Sequence, residues 1–150
     1  MKKILVMAVA LVLCMVCLTS CDAMMQEIGK SASVAALDAM EQELQSVEFD
    51  TLERWNEELV AQGQADLLAE GIEMKGELTG VLEGYYENPE TGHYVRQLVL
   101  GVSAVEDAET LTQYFQDEYK TELEEGKAEI VNGGWIVSVT VSSLVLSEEG

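Results

Sequence analysis

Few residues in this sequence are equipped for chemistry. Cys14 and Cys17 form a C-x-x-C pair, with Cys21 four residues on. Such a pair elsewhere signals thiol–disulfide exchange or a metal site. His93 is the one histidine, so a single imidazole would have to serve as any histidine general base. Gly101-Val102-Ser103 opens like a nucleophile elbow, but Val105 stands where the second glycine belongs. A Ser-His-Asp hydrolase is therefore not expected. Carboxylates are plentiful, 28 Asp and Glu against 8 Lys and Arg, for a net charge of −20. The densest cluster is Glu122, Glu124 and Glu125, yet no D-x-[DN]-x-[DN]-G calcium loop occurs. One histidine, with every cysteine confined to residues 14–21, is no typical zinc set, so neither metal nor cofactor is expected. Paired acids can hydrolyse glycosides, but among 28 acids chance pairs are unavoidable and carry no signal. The acidic balance excludes a nucleic-acid backbone as partner and a polybasic membrane patch.

The cysteines are explained by the elements around them. Lys2 and Lys3 precede an unbroken apolar run from Ile4 to Leu18. That run is short for a spanning helix of about 20 residues and suits the h-region of a signal peptide. Leu18-Thr19-Ser20-Cys21 then places an aliphatic residue and two small ones before a cysteine. Residues 1–21 resemble a bacterial lipoprotein signal peptide. The resemblance implies a diacylglyceryl group on the Cys21 thiol and cleavage between Ser20 and Cys21. Cys14 and Cys17 would leave with the signal. The expected organisation is a signal peptide over 1–20, lipidated Cys21 and linker over 21–32, and one acidic domain over 33–150. Acyl chains would hold it in the bilayer, since each buried CH₂ contributes about 0.8 kcal/mol. The mature chain keeps six basic residues against 28 acids, a net charge of −22.

Val34, Leu37, Met40, Leu44 and Val47 fall on one helical face. A second helix is expected from Asp50, with Glu53 completing a capping box and Leu52, Trp55 and Leu59 as its stripe. It ends by Gly71. The period then becomes two, and a long strand is expected from Ile72 to Tyr86 with Gly76, Gly80 and Gly84 on its apolar face. Three glycines on one face predict close backbone approach. Asn88-Pro89-Glu90-Thr91-Gly92 resembles a sortase sorting signal, but a strand pattern follows it, so a hairpin turn is expected. The next strand, about 94–104, would place Leu98 opposite Leu82, Tyr94 opposite Tyr86 and Leu100 opposite Gly80. Asp107 would cap a third helix carrying Leu111, Phe115, Tyr119 and Leu123 and ended by Gly126. Asn132-Gly133 would turn a second hairpin, 128–131 with 135–146, Ile130 facing Trp135. Trp135, Val137, Val139 and Val141 would be buried, with Ser138, Thr140 and Ser142 facing out. The fold class is α+β, two N-terminal helices and then β-β-α-β-β, an antiparallel sheet with helices packed on one face.

Tyr85, Tyr86, His93 and Tyr94 gather at the first hairpin tip. Cross-strand packing accounts for Tyr86 and Tyr94, which leaves Tyr85 and His93 as the candidate binding residues. The expected function is a non-enzymatic binding or assembly module, anchored through Cys21 on the extracytoplasmic face of the cell membrane, with an envelope protein as partner. The alternative is a solute- or divalent-cation-capturing lipoprotein. In size, acidity and layout the mature domain resembles small uncharacterised lipoproteins of Gram-positive bacteria.

Overall fold

The computed structural model describes residues 22–145, so the signal segment, Cys14, Cys17, Cys21 and Leu146 lie outside the described residues. Helix α1 spans Asp22–Gln45, rich in Ala, Met, Leu, Glu and Gln, all good helix formers. Residues 22–32, expected as a linker, are part of this helix. Strand β1 (Thr51–Arg54) comes next, then α2 (Glu57–Ala69), β2 (Leu78–Glu87), β3 (Tyr94–Val102), α3 (Val105–Glu118), α4 (Lys120–Glu124), β4 (Ala128–Asn132) and β5 (Ile136–Ser142). The five strands form one antiparallel sheet in the order β1-β2-β3-β5-β4. The α+β class and antiparallel sheet are as expected. β1 stands where the second helix was expected to begin.

Asp50 does not cap a helix. Its backbone N–H donates to the Tyr85 carbonyl at 2.8 Å, and its Oδ2 accepts the Glu87 N–H at 2.9 Å, fastening β1 to β2. The cap of α2 is Asn56, whose side chain accepts the Leu59 N–H at 2.9 Å. Asp107 is likewise no cap. It is buried inside the first turn of α3, with Oδ1 and Oδ2 accepting the N–H groups of Lys75 and Gly76 at 2.7 and 2.8 Å. Gly71, at φ of 89°, follows the end of α2 as expected, and Gly126, at φ of 74°, follows α4; the third helix, expected to run unbroken to Gly126, is divided at Tyr119 into α3 and α4.

Helices cover both faces of the sheet, which corrects the one-face expectation. Ala36, Leu37, Met40 and Leu44 of α1 bury Leu82, Val95, Val99 and Ile136 on one face. Leu67 of α2 and Ala108, Leu111 and Phe115 of α3 bury Val81, Leu100, Val102, Val137 and Val139 on the other. From Leu98 to Val102 of β3 and from Ile136 to Thr140 of β5, residues on both faces are therefore buried or half-buried. Ser138, Thr140 and Ser142, expected outside, are buried on the α1 face. Ser138 there accepts a hydrogen bond from the Gln97 amide at 2.9 Å, so part of this polar strip is satisfied internally.

The register also differs from expectation. Leu82 pairs with Val99, Gly80 with Gly101, and Glu87 with Tyr94, one residue along from the expected pairing, with an irregularity between Leu78 and Gly80. Close approach over the glycines is real, but its agents come from elsewhere in the chain. A Cβ on Gly80 or Gly101 would lie 2.7 or 2.6 Å from Leu37 Cδ1, and one on Gly84 would lie 3.0 Å from the Phe49 ring. In the second hairpin Ile130 pairs with Val139 and Asn132 with Val137, so Trp135 lies in the loop rather than opposite Ile130.

Glu129, opposite Thr140 on the edge strand β4, is half-buried, and desolvation raises its carboxyl above the ordinary glutamate range. The folded state then binds that proton more tightly than the unfolded state. Stability from this group is greatest in acid and is lost as pH rises from about 4.5 through the folded pKa. Glu129→Gln is therefore expected to raise the Tm near neutral pH and to give no gain in acid. Equal melting of the two proteins near neutrality would contradict this.

Candidate binding face at the first hairpin

The face that carries α2 and α3 is covered over only part of its length. Along β2 on this face Val81 is buried, Glu83 and Tyr85 are half-buried and Glu87 is exposed. Along β3, Val102 and Leu100 are buried, Leu98 is half-buried, and Arg96 and Tyr94 are exposed. Burial therefore fades toward the hairpin, leaving a shelf of alternating tyrosines and charges.

Tyr85 and Tyr94 come together there. Their rings stack with centroids 6.3 Å apart and planes 20° from parallel. Tyr94 remains 37% exposed. The Tyr85 hydroxyl donates to Glu87 Oε1 at 2.6 Å. That hydrogen bond, aided by desolvation and the Glu87 charge, holds the phenol above its ordinary range. Arg96 pairs with Glu83 at 2.9 Å, and the other Glu83 oxygen accepts the Trp55 indole N–H at 3.2 Å. Glu83 thus joins the strand that precedes α2 to the centre of the sheet. The Trp55 ring is seated close to Gly63 of α2, 3.1 Å from where a Cβ would stand.

The turn at the end of the shelf is Asn88–Gly92, as expected. Asn88 Oδ1 accepts the Glu90 N–H at 2.9 Å, the Asn88 carbonyl accepts the Gly92 N–H at 2.8 Å, and Gly92 has φ of 77°. His93 follows it, exposed, with Nδ1 3.2 Å from Ser143 Oγ. Tyr85 and His93 therefore lie at the same tip with separate polar partners. Tyr94, assigned from the sequence to packing against Tyr86, is instead the ring partner of Tyr85. The one-residue change of register is the cause: Tyr86 faces Val95 on the α1 side, and Tyr94 falls beside Glu87. Arg96 and Glu83 were missed as members of this face. Arg96 was visible only as a charge interrupting an apolar alternation, and that interruption marks where the helix cover ends.

The surroundings are strongly acidic. Five of the six cationic side chains among the described residues are held in ion pairs: Lys30 with Glu77, Arg54 with Asp38 and Glu41, Lys75 with Glu106, Arg96 with Glu83, and Lys127 with Glu125. Of the expected acidic cluster, Glu125 is taken by Lys127 at 3.6 Å. Among the described residues no group of three or more His, Cys, Asp and Glu is arranged to hold a metal ion. None of their helices is long and apolar enough to cross a membrane. No protein-family model, curated protein or solved structure matches the chain.

Proposed function

We propose that this chain is a lipoprotein, held on the extracytoplasmic face of the cell membrane by acyl groups on Cys21. It works as a non-enzymatic binding module through the open end of its sheet. The observation that supports this most is the course of α1. The helix begins at Asp22, directly after Cys21. Gly29 lies against Ser103, beyond the carboxyl end of β3, and Leu37 lies against Gly101. The helix thus runs back along β3 toward the hairpin. Asp22–Gly29 extends about 10 Å, and β3 adds about 30 Å. The tyrosines accordingly stand at most about 40 Å from the start of α1, at the end away from the proposed anchor. A lipid anchor joined to a packed helix would present that end outward.

The test has two parts. Cys21→Ser should abolish acylation and release the protein from membranes. A Cys21→Ser protein that is still processed and membrane-bound would sink the anchor. A photo-crosslinking residue at position 94 in living cells should capture a discrete envelope partner. Recovery of the same bands from a position on the far face of α1, such as Ala35, would sink the assignment of the binding face.

A further inference from the structure

The shelf combines two features that together select a class of ligand. The first is a pair of nearly parallel tyrosine rings, one of them 37% exposed. Aromatic faces carry the negative lobe of the ring quadrupole and attract cations. The Tyr85 hydroxyl donates to the Glu87 carboxylate, which pushes electron density into that ring and strengthens its face as a cation acceptor. The second feature is charge. The nearest cation, Arg96, is already neutralised by Glu83, while Glu87 offers a further carboxylate oxygen at the shelf's edge. A chain of net charge −20 steers positive groups toward itself and repels anionic ones.

We propose that Tyr85, Tyr94 and Glu87 form a docking point for ammonium or guanidinium groups on a basic segment of a protein partner. This rests on the shelf being the binding face and adds what it binds. The positive group lies over the exposed Tyr94 ring and is met by the Glu87 carboxylate. Neighbouring lysines or arginines of the same segment are held by the surrounding acidic field, which raises the association rate more than the lifetime of the complex.

The test uses the full chain in a neutral detergent and a fluorescent octalysine peptide, with Kd read by anisotropy at physiological salt. Tyr94→Ala and Glu87→Gln should each weaken binding about three- to five-fold, the size of an exposed cation–π contact and of an exposed ion pair. Tyr94→Phe keeps the ring face and should stay within about two-fold of the parent. Glu73→Gln with Glu109→Gln removes two charges near the opposite end of the sheet and should also stay within about two-fold. Tyr94→Leu preserves apolar bulk without the ring, and it carries the test if the alanine variant does not fold. Parent-like binding by the Ala or Leu variant would overturn the proposal, as would equal weakening by the distant pair, because either outcome means diffuse charge attraction. A partner crosslinked at position 94 from a protein that ignores octalysine would overturn the cationic assignment while leaving the binding-module reading in place.

Discussion

Asp107→Ala is expected to lower the unfolding free energy by about 3–5 kcal/mol, because two charge-assisted hydrogen bonds of about 1.5–3 kcal/mol each are lost together. The side chain is 1% exposed, and its two oxygens take the N–H groups of Lys75 and Gly76. Next to this clamp, Ser103 Oγ accepts the Glu77 N–H at 2.9 Å, so the chain entering β2 hangs on side chains from the start of α3. A negative charge in the first turn of a helix is also favourable, and alanine forfeits that. Asp107→Asn keeps one acceptor and should cost about half as much. Urea unfolding reads both values. A loss below about 1 kcal/mol for the alanine variant would mean that water replaces the carboxylate freely and that the clamp is dispensable.

The second large effect is at the meeting of α1 with the sheet. Leu37 is fully buried and lies over the Gly80–Gly101 pair. Leu37→Ala should cost about 3–5 kcal/mol from lost burial and the cavity left behind. Gly101→Ala alone should cost about 1–3 kcal/mol, because its Cβ meets Leu37 Cδ1 and Thr79 Oγ1, both at 2.6 Å. The combination decides the matter. In the Leu37→Ala background the clash with Leu37 is gone while the one with Thr79 Oγ1 stays, so Gly101→Ala should cost clearly less than it does in the parent. The two changes should therefore couple by the difference. Simple additivity in a double-mutant cycle would refute the contact.

The elements that were legible in the sequence are those with local signals. Both hairpins were expected at their turns, and the α3 stripe of Leu111 and Phe115 is the buried stripe. What was not legible depends on distant parts of the chain. β1 has four residues, too few to display a period of two, and its Asp50…Glu53 spacing imitates a capping box. Only pairing with β2 makes it a strand. The buried face was misread for a related reason. An alternation of Val with Ser and Thr marks a half-exposed strand when one face meets water. Here the second face meets α1, and Ser138, Thr140 and Ser142 are buried beneath it. Burial on both sides also removes the pattern that pins register, which is why the first hairpin was expected one residue out. The tyrosine site followed the same error: the tip was located correctly, while the ring beside Tyr85 was misassigned.

The sheet ends on β1 and β4, of four and five residues, and neither is long enough to recruit much of a foreign strand. Each carries a carboxylate, Glu53 on one and Glu129 on the other. A second copy adding to either margin antiparallel would bring acid toward acid, with few backbone hydrogen bonds gained in return. Molecules tethered to a membrane meet in two dimensions at raised local concentration, where strand-to-strand accretion is most dangerous. Short, acid-marked margins would let a chain anchored as proposed crowd on a surface without polymerising along it.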